Sequence, residues 1–309
     1  QWAACIDAPS APTATCDIAS LSDTAKRNLS NCNLTGANLE KANLKGANLE
    51  RTNLTSANLS DANLEAANLK NATLAHANLT GANLDRADLR YANLTLAKLV
   101  GAKFGRALLM KADMYAADLE SANLVAANLK RGDLSQANLK HANLENANLA
   151  FTNLEKANLE ATNLKNADLW DANLKGAILK DANLEGTNLA SANWHEANLE
   201  SVNLSGANLV SVGSKDWTLG TILLNALGGK MPGDLSLSGA ILKNADLERA
   251  NLENTNLQDA DLERANLKNA NLQNADLKGA NLYFANLAGA CLRGANLSGA
   301  NMAGAKLEG

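Results

Sequence analysis

Histidine, cysteine and clustered carboxylates are the residues from which most enzymatic and metal chemistry is built, and in this chain they are scattered. The histidines are His76, His141 and His195, and the cysteines Cys5, Cys16, Cys32 and Cys291. A structural metal site needs about four ligands in one sphere, and acid–base catalysis needs a base within hydrogen-bond reach of its substrate. No Cys pair has zinc-finger spacing, and no glycine-rich phosphate loop or nucleophile–base pair stands out. The 32 acidic residues are interleaved with 28 basic ones, for a net charge of -4. That balance gives neither the cationic excess of a nucleic-acid binder nor a strongly acidic surface. The sequence therefore predicts no catalytic residues, no cofactor and no metal, so any function must come from the surface of the elements themselves.

Those elements are unusual. The chain has 309 residues, 46 % hydrophobic but only 3 % aromatic. This is too apolar for disorder, yet no apolar run reaches the eighteen residues of a membrane helix. From Leu29 to Leu209 a leucine recurs every five residues, in 34 of 37 positions, with Phe104, Met114 and Trp194 as the exceptions. Two residues earlier stands Ala in 29 of the 37, and between the two stands Asn or Asp in 32. The pattern resumes at Leu242 and runs to Leu307, with Met302 the one exception in 14 positions.

A period of five suits neither standard element. On an α-helix successive leucines would drift around the axis, and on a strand an odd spacing would send them to alternate faces. It suits a short extended piece followed by a two-residue corner, repeated to wind a solenoid with Leu and Ala inside. The Asn or Asp between them faces outward, where its short side chain can bond local backbone at the corner.

The motif, seen as ANLEK, ANLKG and ADLER, resembles that of the pentapeptide-repeat family over roughly nine-tenths of the chain. The resemblance implies an all-β fold, a right-handed quadrilateral parallel β-helix with four pentapeptides per coil. On that reading residues 28–212 form about nine coils, a rod of about 45 Å at the spacing of paired strands, and residues 238–309 form about three and a half more. Residues 1–27 then make an N-terminal cap, with a short helix over DIASLSDTAKR, and residues 213–237 an interruption.

Three departures from the pattern carry the functional expectations. The N-terminal segment is non-repetitive, as solenoid caps are. In the interruption, DWTLGTILLNALGG reads as an amphipathic helix with Asp216 as N-cap, Gly228-Gly229 as stop and Trp217 on its apolar side. It is either a looped-out excursion, the preferred reading, or a linker between two solenoids, and either a packed helix or a docking element. The third departure is the stretch YANLTLAKLVGAKFGRALLMKADMYAAD, which loses Asn or Asp at Lys98, Lys103 and Leu108. Folded at twenty residues per coil, Tyr91, Leu108, Met110, Phe151 and Trp170 share one face and Tyr115 the next, a candidate interaction surface. Tyr283 and Phe284 also point outward. His76 and His195 share a face but stand six coils apart, too far for one ligand sphere.

In such a rod Cys291 lies far from Cys5, Cys16 and Cys32. The favoured disulfide is Cys5–Cys16, with Cys32 a small buried hydrophobe and Cys291 a free thiol. A stapled cap favours export to an oxidising space, periplasm or thylakoid lumen, over the cytoplasm. The chain begins at Gln1 with no visible signal peptide, as a processed or a trimmed protein would. Function is expected to be a non-catalytic scaffold binding an unknown protein partner, with no nucleic acid and no membrane insertion. The last coil, left open, is expected to associate end to end with a second copy unless the chain is cut short. The resemblance also offers an alternative, since some members of the family mimic duplex DNA and bind DNA gyrase, but no face here approaches DNA-like negative charge.

Overall fold

The computed structural model describes residues 28–194, 196–199, 202–209, 213–214, 217–218 and 236–308. The bridges between neighbouring coils join residues twenty apart, from Asn28–Asn48 and Asn33–Asn53 to Asn286–Lys306, all parallel. Each coil therefore has four sides. We call first, second, third and fourth the faces whose rungs begin at Asn28, Asn33, Asn38 and Asn43.

One pentapeptide shows why the repeat closes. In Ala62–Ala66, Asn63 N–H donates to Ala42 O of the preceding coil at 2.9 Å and Leu64 N–H to Asn83 O of the next at 2.7 Å. Ala66 N–H reaches Asp85 O at 2.9 Å, and Ala62 N–H closes the preceding corner on Leu59 O at 3.1 Å. The fifth donor, Glu65 N–H, is left facing out, and Asn63 Oδ1 accepts it at 3.1 Å. Every backbone N–H of the unit is thus paired, as a wall with one dry side requires. The Asn or Asp is there because it caps the corner. Its amide also donates to the residue one coil back, as Asn68 Nδ2 does to Asn48 Oδ1 at 3.1 Å.

Each corner turns with φ positive at its second residue, the pattern of a type II turn. Gly36 and Gly46 adopt it freely, but so do Lys41, Arg51 and Tyr91, with φ between 55° and 62°. Side chains normally avoid this region. Here the corner hydrogen bonds hold them in it, so the second corner position accepts almost any residue type.

Inside, leucines from Leu44 to Leu287 and the alanines beside them are almost wholly buried, and Phe104, Met114 and Trp194 fill leucine slots. Thr52 replaces an inward alanine and donates its hydroxyl to Leu29 O at 2.7 Å, whereas the buried hydroxyl of Thr255 has no partner. The core loosens in the last coil, where Leu307 is 55 % exposed and Leu292, Leu297 and Met302 are half-buried.

The interruption differs from the expectation. Gly213–Ser214 (β1) pairs antiparallel with Trp217–Thr218 (β2), with Ser214 opposite Trp217. No helix occurs among the described residues, and a helix begun at Asp216 cannot include Trp217 and Thr218. The physical reason is local: Trp and Thr both favour strands, and a partner across a two-residue turn is available at once. The rest of the expected helix, and the cap over residues 1–27, lie outside the described residues. The ladder crosses the interruption, because Asn203 bridges Ser236 and Asn208 bridges Ile241, each 33 residues on. Stacking resumes at Ser236–Leu237, with Leu237 buried, slightly before the leucine pattern becomes visible in sequence.

Candidate interaction surface

Corner residues project from the rod because the Leu before them and the Ala after them are turned inward. Along the edge between the first and second faces, this places Tyr91, Met110 and Lys111, Lys130 and Arg131, Phe151 and Trp170 on successive coils. Tyr91 is 47 % and Trp170 43 % exposed. Phe151 and Trp170 meet edge to face with ring centroids 4.7 Å apart. Arg131 and Lys130 lie 5.1 and 5.6 Å from the Phe151 centroid, and Lys111 lies 5.4 Å from that of Tyr91. Leu108, on the first face itself, is exposed beside them, and Met110 is half-buried. The five residues expected on one face thus lie along one face and its edge, with the coil of Lys130 and Arg131 between Met110 and Phe151, while Tyr115 stands on the neighbouring edge.

Leu108 is exposed because it occupies an Asn slot without being able to cap. The same loss at Lys98 and Lys103 leaves the following corner N–H groups without their usual acceptor. At Gly105 the carboxylate of Asp85, one coil back, accepts the N–H at 2.7 Å. With no side chain at Gly105, a hollow opens there, lined by Glu65, Asp85, Arg86, Arg106 and Val125. It holds charges but no histidine or nucleophile.

Electrostatics set the edge apart. Asp88 is gripped by Arg90 through Nε at 2.9 Å and a second nitrogen at 2.6 Å. Partial burial pushes the Asp88 carboxyl up, but the hydrogen bonds and charge of Arg90 outweigh this and hold it below the ordinary aspartate value. By contrast Lys111, Lys130 and Arg131 form no ion pair with any described carboxylate and lie over rings instead. Such contacts contribute about 0.5–1 kcal/mol each at exposed sites. The edge therefore combines apolar rings with cations that have no carboxylate partner among the described residues. This suits recognition rather than chemistry.

The remaining expectations fall elsewhere. Trp217 is described in its backbone alone, and Cys5, Cys16 and His195 lie outside the described residues. Cys32 is buried and disulfide-bonded, which corrects the reading of it as a simple buried hydrophobe, and Cys291 is exposed and free, while the expected Cys5–Cys16 pair lies outside the described residues. A small inward slot takes a bridging sulfur as readily as a methyl group, so sequence could not tell the two apart. His76 and His141 are exposed corner residues. Among the described residues no cluster of His, Cys, Asp or Glu is placed to hold a metal, and no helix is long and apolar enough to cross a membrane. Sequence reasoning passed over Leu96, Ile178 and Ile241, which are 44, 41 and 39 % exposed. The signal for the latter two was an isoleucine in an Asn slot.

A family model for pentapeptide repeats, in 8 copies, matches stretches that together span residues 32–212 and 234–309. Among solved structures, HetL from the cyanobacterium Nostoc sp. strain PCC 7120, a pentapeptide repeat protein involved in heterocyst differentiation regulation, is 32 % identical, with 82 % of this chain and 89 % of that one covered and a TM-score of 0.41. Full-length QnrB1, a plasmid-mediated fluoroquinolone resistance protein, is 18 % identical over 69 % of this chain and 92 % of its own, with a TM-score of 0.42. A pentapeptide repeat protein from the Arabidopsis thaliana thylakoid lumen is 26 % identical over 42 % of this chain and 71 % of its own, with a TM-score of 0.26. Comparison with curated proteins gives no match.

Proposed function

The chain belongs to the pentapeptide-repeat family, and from that premise we propose that it is a non-catalytic scaffold that docks another protein on its first face and the adjoining edge. The supporting observation is the cluster of Tyr91, Phe151 and Trp170 with Leu108 and Met110, set on a wall made mostly of Asn, charged and small residues. Exposed aromatics beside cationic side chains are what interface hot spots are made of. The regular ladder beneath fixes their backbone in advance, which lowers the ordering cost of binding.

The test is affinity capture from the native cell with the intact chain and with the double variant Phe151→Ala, Trp170→Ala, each first shown to melt at the same temperature. Loss of one specific partner from the double variant is expected. Equal capture by both would place docking elsewhere, and turnover of any substrate by the purified chain would refute a purely structural role.

Duplex mimicry is disfavoured, because it needs dense negative charge and the most distinctive edge of this rod is cationic. No effect on gyrase supercoiling is expected at low micromolar protein. We propose further that the protein works in an oxidising compartment, a reading the Cys32 disulfide supports. Non-reducing peptide mapping of protein from its native compartment is expected to find Cys32 in a disulfide and Cys291 as a thiol. A free thiol at Cys32 would return the protein to the cytoplasm.

A further inference from the structure

Numbering hides a continuity that the ladder reveals. The first face is one unbroken series of rungs, which runs from Asp88 through Leu108, Asn128, Asn148, Asp168, Asn188 and Asn208 to Ile241, Asp261 and Asn281. The step from Asn208 to Ile241 is 33 residues and every other step is twenty. Allowing for it, Phe284 occupies the corner position of Tyr91 and Phe151, and Tyr283 that of Met110 and Trp170. Ile241 takes the mid-face position of Leu108. Of the six outward aromatic side chains among the described residues, five therefore stand on this one edge, and Tyr115 is the exception. Tyr283 and Phe284 pack edge to face with centroids 4.4 Å apart. Gly304 makes room for them, since a side-chain carbon there would come within 2.9 Å of the Phe284 ring. From the Asp88 rung to the Asn281 rung are nine steps, or about 43 Å at the spacing of paired strands.

Charge along the stripe is uneven. At its far part Lys243 is neutralised by Asp261 and Glu263 at 3.2 and 3.1 Å, and Arg264 by Glu263 at 3.6 Å. Near its start Arg90 is neutralised by Asp88 at 2.6 Å. Between Tyr91 and Phe151, however, Lys111, Lys130 and Arg131 have rings for neighbours and no carboxylate within salt-bridge distance among the described residues. Asp168 and Asp171 lie beyond them, beside Trp170. A complementary partner supplies the missing negative charge opposite those three cations and apolar groups opposite the rings on either side.

We propose that the described corners of this edge, from Tyr91 to Trp170 and from Lys243 to Phe284, together bind one elongated acidic segment of a partner protein, with apolar residues among its carboxylates. This rests on the docking reading above and adds the partner's charge and the stripe's length. An extended segment of about 13 residues spans it.

The probe is a labelled peptide of about 16 residues, Glu-rich with Leu or Phe at every fourth position so that they share one face of the extended chain, and its binding to the full chain is followed by fluorescence anisotropy. A peptide with Lys for Glu, a heparin oligosaccharide and a short DNA duplex are run beside it. The acidic peptide is expected to bind at least tenfold tighter than the Lys peptide, and about tenfold weaker to Lys130→Glu, Arg131→Glu. It is expected to bind several-fold weaker to Tyr283→Ala, Phe284→Ala, while a half-length acidic peptide binds that variant and the parent alike. Melting temperatures show that each variant is folded. Unchanged binding to the charge-reversed variant, or tighter binding of heparin or DNA than of the peptide, overturns the acidic-protein assignment. Loss of binding in Phe151→Ala, Trp170→Ala with none in Tyr283→Ala, Phe284→Ala overturns the single long stripe but leaves the docking site intact. If native capture also ignores Phe151 and Trp170, the docking reading itself has failed.

Discussion

The interior of the rod and its first–second edge are built on the same backbone under opposite rules. Inside, nearly every fifth residue is Leu and the inward slot two residues earlier holds Ala or another small residue, because each coil is covered by the next and the core is close-packed. On the edge the backbone is equally fixed, yet the second corner position holds Lys, Arg, Tyr, Phe, Asp or Gly at nearly the same φ. What is uniform serves folding. What varies over an unvarying frame is free to serve recognition.

The sharpest way to test this contrast is a matched pair of truncations. Leu124→Ala, in mid-rod and fully buried, is expected to cost about 2–5 kcal/mol. Trp170→Ala, on the edge, is expected to change stability by less than about 1 kcal/mol, despite removing a larger side chain. Chemical denaturation of both variants measures the difference, and similar losses would mean that the edge is part of the core.

A subtler pair lies within the core. Thr52→Val removes a hydroxyl bonded to Leu29 O and is expected to destabilise by about 1 kcal/mol. Thr255→Val removes a buried hydroxyl with no partner and is expected to stabilise by about 1 kcal/mol. Opposite shifts in melting temperature would show that interior polar groups are judged by their partners rather than their type. At the corners, Gly46→Ala is expected to cost about 1 kcal/mol, although nothing stands within 4 Å of the added carbon. That loss would be conformational alone, and its absence would mean that the ladder imposes the turn at no expense.

The smallest effect is electrostatic. A carboxyl whose pKa is lower in the folded than in the unfolded chain stabilises the fold above its unfolded value, and the contribution is lost as pH falls through the folded one. Asp88 is such a group, held down by Arg90 against the opposing effect of burial. Between neutral pH and about pH 3, the parent is therefore expected to lose more of its melting temperature than Asp88→Asn. Parallel pH profiles would show that the pair adds nothing.

Much of the fold was legible because a fivefold period repeated dozens of times admits few geometries. Four features were not. The left-handed corners show in the sequence only where Gly marks them, as in LKGANL and LTGANL, since hydrogen bonding from the next coil imposes the same turn on other residue types as well. The strand at Trp217–Thr218 lies inside an apolar pattern that also fits a helix. The rung at Ser236 has no Asn to announce it. The kinship of Phe284 with Tyr91 and Phe151 vanishes once 33 residues replace twenty in a single step. The cluster from Tyr91 to Trp170 was readable, since within one array counting by twenty is enough, but the pairing of Lys111, Lys130 and Arg131 with rings rather than carboxylates required side-chain positions.

The ladder also has a mechanical meaning. Each coil is fastened to the next along the rod axis, by rungs on all four sides wherever the repeat is regular, so a pull applied across the rod must shear many rungs together. A pull on the last coil along the axis meets one coil at a time. Each release frees twenty residues, about 65 Å of extended chain, for about 5 Å of rod lost. Under tension the protein is expected to pay out in steps of twenty residues, with one longer step of 33 at the interruption, a molecular strap whose step length is set by its coil.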